Sequence, residues 1–361
     1  MRRFIIKFSL IVGMLIGLPL LGLVLAGRPV KVYLEFPPET SYVSHAPFSC
    51  VIFVLYALIA LSLSTPIIVR WIQIRGQVKS YHRKLRSFPW WGRVGILTGL
   101  VSWFLAWTRF DWFSMLQPHT FIPLWISYIL VINALTYQRD GCCTMTRRPM
   151  QFLSLFPASS VFWWFFEYLN RFVQNWNYTG VTFGPLEYFC YATISFSTVL
   201  PAVHGTYEWI RGFSWIDKGL AHLPAIRFSR PKAAAWTVVI VSALGLMAMA
   251  IWPNHLFPLV WLSPLLIIVA IQTLLGEKHI LSDIAIGDWR TPVSYSLAAL
   301  FCGVFWEMWN YYSLAKWKYV IPYVHRYQIF EMPLLGYMGY LPFGLECSLI
   351  AKMIGLFENK R

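Results

Sequence analysis

Apolar residues run along this chain in long blocks, and the charged residues fall almost entirely between the blocks. Each block approaches the ~20 residues a helix needs to cross ~30 Å of hydrocarbon. The blocks predict ten helices, over residues 5–27, 49–69, 94–110, 121–136, 152–170, 188–204, 233–252, 256–275, 293–311 and 336–355. Several are apolar on every face, unlike the striped helices of a soluble domain. The expected fold class is all-α, a polytopic membrane bundle of about ten transmembrane helices.

Composition supports this reading. The chain has 361 residues, of which 58% are hydrophobic and 12% charged. A soluble domain carries about a quarter charged residues. The first block follows a basic head, "MRRFIIK", and reads as an uncleaved helix; a signal peptide has a shorter core and a small-x-small cleavage site.

The positions of Lys and Arg predict an orientation. With the N-terminus inside, only Arg28, Lys31, Arg109, Arg171, Lys316, Lys318 and Arg326 of the 30 basic residues fall outside. Basic residues concentrate in cytoplasmic loops, so the pattern predicts N-in and C-in and an even helix count. The expected location is a cell membrane, crossed many times, with a bacterial inner membrane as the expected type. The net charge of +15 then needs no nucleic-acid partner, and the chain contains no nucleic-acid-binding module. The partner expected from composition is membrane lipid.

An internal repeat is visible. "FIPLWISYILVINAL" (121–135) and "FPLVWLSPLLIIVAI" (257–271) align Trp125, Ser127, Leu130, Ile132 and Ala134 with Trp261, Ser263, Leu266, Ile268 and Ala270 at one offset. The next helices carry "FWWFFEYLN" (162–170) and "VFWEMWNYY" (304–312), so Glu167 and Asn170 answer Glu307 and Asn310. "NWNY" (175–178) and "KWKY" (316–319) follow, then "GPLE" (184–187) and "EMPLL" (331–335). The expectation is a tandem repeat of a four-helix unit, helices three to six and seven to ten. Four is even, so the copies share one orientation and relate by a pseudo-twofold axis along the membrane normal. The implied division is 1–72 (a two-helix addition), 73–231 and 232–361.

Candidate chemistry centres on carboxylates. An ionisable residue inside a membrane segment faces the bundle interior, a partner or a cavity. The i, i+3 spacing puts Glu167 beside Asn170 and Glu307 beside Asn310, giving each carboxylate an amide neighbour. A carboxyl group removed from water resists ionising and can hand over or take up a proton. The loops behind them hold Trp176, Tyr178, Trp317 and Tyr319, as substrate-binding rings or as an interfacial aromatic belt. Glu187 and Glu331 flank the loop prolines, so four carboxylates are expected to gather at the outer face; solvated loop acids are the alternative. Glu167 has Arg171 at i+4 and so also reads as half of an ordinary helix ion pair. Glu307 has Tyr311 there and no such alternative. Glu346, near the middle of the last helix behind Pro342 and Gly344, is a further substrate-binding candidate, with a hydrogen bond to a neighbouring helix as its rival.

Other features lead away from cofactors. His279, Asp283 and Asp288 read as part of a short interfacial segment, not a metal site. His204 and His222 are isolated and read as core or loop residues. The six cysteines form no CxxC pair or zinc set and read as free thiols. No phosphate loop, zinc helix, nucleophile elbow or dinucleotide fingerprint occurs, so no cofactor and no metal is expected.

"WNYTGVTFGPLEYFCY" (176–191) resembles the integral-membrane lycopene cyclase domain family. There a helix acid precedes W-x-Y or W-x-F, then Gly, then Pro-Leu-Glu-Glu and aromatics, in paired or fused copies. The resemblance carries over Glu167, Trp176, Tyr178, Pro185, Leu186 and Glu187. It implies cofactor-independent acid chemistry on a polyene, with carboxylates giving and taking the proton. Tyr188 stands where the family has its second glutamate, Glu167 where it usually has Asp, and the second copy reads "PLLG". The functional expectation is a membrane enzyme acting on an apolar isoprenoid or lipid. The parallel repeat and Glu346 also fit a secondary transporter or proton-coupled channel. A non-catalytic scaffold or assembly factor is the third alternative.

Overall fold

The computed structural model describes residues 2–76 and 85–356. Lys79, Arg83, Lys84, Lys360 and Arg361, which enter the charge sorting, lie outside the described residues. The chain is mostly helical. Its main helices are α1 (Arg2–Leu25), α2 (Cys50–Ile74), α3 (Trp90–Trp107), α4 (Phe121–Asp140) and α5 (Pro149–Val173). Then come α6 (Pro185–Phe196), α7 (Val199–Arg211), α8 (Pro231–Ala248), α9 (Leu259–Leu274), α10 (Arg290–Tyr312) and α11 (Tyr340–Met353). Short strands occupy the loops: β1 (Trp176–Thr179), β2 (Lys316–Tyr319), β3 (Gln328–Ile329) and β4 (Met332–Pro333).

Each of the ten apolar blocks lies largely on helix, with two local differences. Block 188–204 is broken at Ser197–Thr198 into α6 and α7. Pro201 sits in the first turn of α7, where its missing N–H costs least. Serines of α5 satisfy groups freed at the break: Ser159 Oγ donates to Phe196 O (2.5 Å) and accepts from Leu200 N (3.0 Å), and Ser160 Oγ donates to Thr193 O (2.8 Å). The last block opens as a 3₁₀ segment, Leu334–Gly339, before α11 begins.

Five helical stretches are long and apolar enough to cross a membrane: Ile6–Leu25, Cys50–Ile74, Gln117–Asp140, Pro231–Ala248 and Leu334–Met353. α5 and α10 have the length, at 25 and 23 residues. Their carboxylates, amides and many Trp and Tyr lower their hydropathy. α2 lies at the periphery, and none of its most apolar window is buried. A continuous apolar surface of that kind belongs in hydrocarbon or against a partner.

Packing follows small residues. α3 lies against α4 along Gly92, Gly95 and Gly99; a Cβ at Gly92 would stand 2.4 Å from Ala134 Cβ. Small-xxx-small rows allow such approach where lipid supplies no hydrophobic drive between helices. α8 packs likewise on α9, α1 on α8, and α10 on both α7 and α11. Trp125, Phe166, Phe172, Tyr295 and Phe343 are fully buried in the shared core.

β1 and β2 pair antiparallel although 140 residues of chain separate Trp176 from Lys316. Trp176 faces Tyr319, Asn177 faces Lys318, Tyr178 faces Trp317 and Thr179 faces Lys316. This ribbon joins the loop after α5 to the loop after α10.

Candidate functional site

The site is built from the last turns of α5 and α10 and the strand that follows each. α5 ends at Gln174, whose left-handed φ of 49° turns the chain back on itself. Asn170 fixes the return: its Nδ2 donates to Trp176 O (2.8 Å) and its Oδ1 accepts from Asn175 N (2.8 Å). Asn310 does the same after α10, donating to Trp317 O (2.8 Å) and accepting from Trp317 N (2.9 Å). The two asparagines are therefore clamps on the strand backbone. The expectation that they assist the neighbouring carboxylates is corrected, because both ends of each amide are occupied by main chain.

Side chains alternate along a strand, so Trp176 and Tyr178 share one face of β1 and Trp317 and Tyr319 one face of β2. The clamps aim those faces at the helix carboxylates. Glu167 Oε1 accepts from Trp163 Nε1 (3.0 Å), Trp176 Nε1 (3.0 Å) and Tyr178 OH (2.6 Å). Glu307 Oε1 accepts from Tyr319 OH (2.8 Å) and Tyr340 OH (2.8 Å). Trp317 Nε1 donates to the Tyr319 hydroxyl at 2.8 Å, one bond further out. Both carboxyl groups are buried, Glu307 completely. Glu307 Oε2 is buried with no hydrogen-bond partner.

Three expectations are revised by these contacts. Glu167 takes aromatic donors, while Arg171 is held elsewhere: it donates to Tyr33 O (3.2 Å) and Val32 O (3.1 Å) and lies 3.8 Å from Glu35. The aromatics Trp176, Tyr178 and Tyr319 bond the carboxylates directly, so they are more than an interfacial belt. The four carboxylates do not gather as one set: Glu187 is exposed in the first turn of α6, while Glu331, within electrostatic range of Glu307, is bonded to Lys316 Nζ.

Aromatic contacts tie α4 to α10 and α9 to α5. Trp125 of α4 packs on Trp306 of α10 with ring centroids 4.7 Å apart, and Trp261 of α9 packs on Phe166 of α5 at 4.8 Å. Trp176 of β1 stacks on Trp261 (5.7 Å), and Trp317 of β2 meets Phe121 of α4 edge-on (5.9 Å). Trp306 also stacks on Tyr340 (5.9 Å), which completes an aromatic wall beside Glu307.

Glu346 stands apart in α11. It is buried, and neither carboxyl oxygen has a hydrogen-bond partner. The group lies beside the backbone N–H of Leu265, immediately after Pro264 in α9. Nothing in the sequence singles out Trp163 and Tyr340, the remaining donors. Trp163 is one turn before Glu167, a spacing that contact rules on a helix permit; Tyr340 arrives from 33 residues away with no local signal.

Two grooves of about 240 and 250 Å³ lie on the flanks of α4, one towards α5 and one towards α3 and α10. Neither is lined by a carboxylate. Among the described residues, no three His, Cys, Asp or Glu converge as a metal site would require. No protein-family model matches the chain, and no curated protein or solved structure gives a significant match.

Proposed function

We propose that this chain is a multi-pass cell-membrane protein, ten crossings with both termini inside, made of two parallel copies of a four-helix unit. The register of the β1–β2 ribbon supports the duplication. An offset of 141 aligns Trp176 with Trp317 and Tyr178 with Tyr319, and under it the pair Trp176–Tyr319 becomes the pair Tyr178–Trp317. A pseudo-twofold axis through the Asn177–Lys318 pair produces that pattern, and the reciprocal Trp125–Trp306 and Trp261–Phe166 contacts agree with it.

Its activity on this reading is cofactor-independent acid/base chemistry on an apolar isoprenoid or lipid. The unpartnered Glu307 Oε2 is the observation that carries it. Oε1 is anchored by two phenols, so Oε2 is the oxygen left to carry a proton. The O–H bond to Oε2 breaks as a C–H bond forms on a substrate alkene. The resulting cation is closed by a neighbouring double bond, and loss of an adjacent proton to a carboxylate restores a C=C bond. No electrons are gained or lost. Rings such as Trp306 and Tyr340 suit a cationic intermediate, because aromatic faces attract positive charge. Glu167, with three donors on Oε1, is the second carboxylate of the pair. Expression in a lycopene-accumulating host tests the cyclase form: a changed pigment supports it, and unchanged pigment with the protein present in the membrane removes it.

Glu346 favours a second reading, a proton-coupled secondary transporter. An unpartnered carboxyl group on a membrane helix behind a proline is the arrangement such carriers use for ions. Flux in proteoliposomes that persists unchanged in Glu346→Gln removes it. Full tolerance of glutamine at Glu167, Glu187, Glu307, Glu331 and Glu346 in a growth assay would leave a scaffold or assembly role.

A further inference from the structure

We propose that the groove between α3, α4 and α10 holds one acyl chain of an anionic phospholipid, with the headgroup phosphate on Arg93. This rests on insertion of the chain in a membrane and not on acid chemistry at Glu307. The groove, of about 250 Å³, follows α3 from Gly95 to Trp103, eight residues or about 12 Å of helix. Its opposite walls include Tyr128 of α4 and Phe305 of α10. Polar groups on the walls are engaged within the protein. Ser127 Oγ donates to Pro123 O (2.7 Å) and lies 2.8 Å from Thr98 Oγ1, and the Tyr128 hydroxyl lies 2.7 Å from Thr206 Oγ1. The lining therefore presents carbon, and the matching occupant is hydrocarbon. One turn of a helix with its side chains is a cylinder about 10 Å across and 5.4 Å tall, about 420 Å³. A partner helix is too wide for the groove, and a single acyl chain is not.

The two ends of the groove differ. At one end α3 closes on α10: Trp107 Nε1 donates to Trp309 O (3.3 Å), and Trp103 meets Trp309 edge-on at 6.5 Å. Arg109, just beyond, is committed to main chain and donates to Ala106 O, Thr108 O and Tyr312 O. Towards the other end Trp209 lines the groove, and Arg139 donates to Trp209 O (2.6 Å) while paired with Asp140. Arg93 is different. It is exposed, and among the described residues its side chain forms no hydrogen bond or ion pair. It precedes Ile96, Leu100 and Trp103, which line the groove, by three, seven and ten positions and so shares their helix face. Trp90, 75% exposed, opens α3 one turn earlier, and indoles at helix ends sit at headgroup level. A free guanidinium at that level, at the mouth of a hydrocarbon trough, is complementary to a phosphate with a chain attached. A neutral isoprenoid would fill the trough and leave the cation unmatched.

Photocrosslinking of the full chain in vesicles tests this without a substrate. The probes are a phosphatidylglycerol and a phosphatidylcholine with the same diazirine-bearing chain, and labelled residues are mapped by peptide mass spectrometry. Leu58 and Leu61, on the exposed face of α2, report lipid that merely surrounds the protein. Relative to them, labelling of Ile96, Leu100 and Phe305 in the wild type is expected to be about fivefold higher with phosphatidylglycerol, the weight of one basic residue at an anionic surface. Arg93→Gln is expected to erase that preference and Arg93→Lys to keep it. Neither change breaks a bond within the protein, so both variants fold. Groove labelling no greater than that of α2, equal labelling by the two probes in the wild type, or a preference that survives Arg93→Gln overturns the proposal. Absence of label on α2 as well would overturn the membrane reading and this site with it.

Discussion

Asn177 and Lys318 face each other across the β1–β2 ribbon, and under the proposed duplication theirs is the pair that exchanges with itself. Directly opposed residues on antiparallel strands have Cα atoms about 4.5–5.5 Å apart, within reach of a disulfide. In a background without the native cysteines, Asn177→Cys with Lys318→Cys is expected to cross-link on mild oxidation of intact membranes. Asn177→Cys with Lys316→Cys is expected not to. Gel mobility before and after reduction reads both, and equal cross-linking of the two pairs would contradict the register.

The clamps predict a large stability effect from two buried amides. Asn310→Ala frees the N–H and C=O of Trp317, and Asn170→Ala frees Trp176 O and Asn175 N. Each buried group left unpaired costs about 1–3 kcal/mol. Either variant should therefore unfold at markedly lower temperature in detergent. A melting curve that overlays the wild type would show that the strands are held by other means.

At the carboxylates, Glu307→Gln removes the exchangeable proton while keeping the shape of the side chain. On the proposed acid chemistry, turnover of an isoprenoid substrate should fall by about 10²–10⁴-fold. Tyr319→Phe leaves Tyr340 on Oε1 and should cost closer to tenfold, in line with one hydrogen bond. Product analysis in the pigment host measures both, and a Tyr319→Phe loss as large as that of Glu307→Gln would make the phenol the proton donor.

In the loop before α10, hydrogen bonds from Arg290 hold the Asp288 carboxyl below its ordinary value, against the partial opposition of burial. The fold therefore favours the ionised form. That stabilisation is complete above the unfolded value of 3.8 and is lost as pH falls through the lowered native value. The melting-temperature gap between wild type and Asp288→Asn should be widest near neutral pH and shrink in acid. A gap that widens on acidification would reverse the sign.

α1 meets α8 at Gly22, where a Cβ would stand 1.7 Å from the Met247 carbonyl oxygen. That neighbour is backbone and cannot swing aside. Gly22→Leu should push the helices apart and lower stability by several kcal/mol, whereas Gly17→Leu, with open space around it, should be neutral. Comparable melting of the two variants would mean that α1 is not docked as described.

Much of this was legible in the chain because hydrocarbon imposes a long, simple pattern: blocks of apolar residues become helices. The matched spacing of Glu167, Asn170, Trp176 and Tyr178 with Glu307, Asn310, Trp317 and Tyr319 was also readable. Their division of labour was not. Asn170 and Asn310 sit beside carboxylates in sequence, but their amides turn to the strand backbone, a choice set by the chain reversal after each helix. Glu187 and Glu331 look equivalent to the helix acids until Lys316 and open solvent claim them. The His204–Tyr295 contact joins residues 91 apart and leaves no local trace.

If the chain is the proposed duplication, the ribbon also bears on how it began. Neither half can form it alone, since each contributes one strand. Two identical half-length chains, meeting face to face about the same axis, would close the same ribbon with the middle residue of the strand opposite its own counterpart. A separately expressed half should therefore behave as a sticky monomer in search of a twin. Joining the genes for two such chains would change the concentration dependence of assembly and little of the architecture.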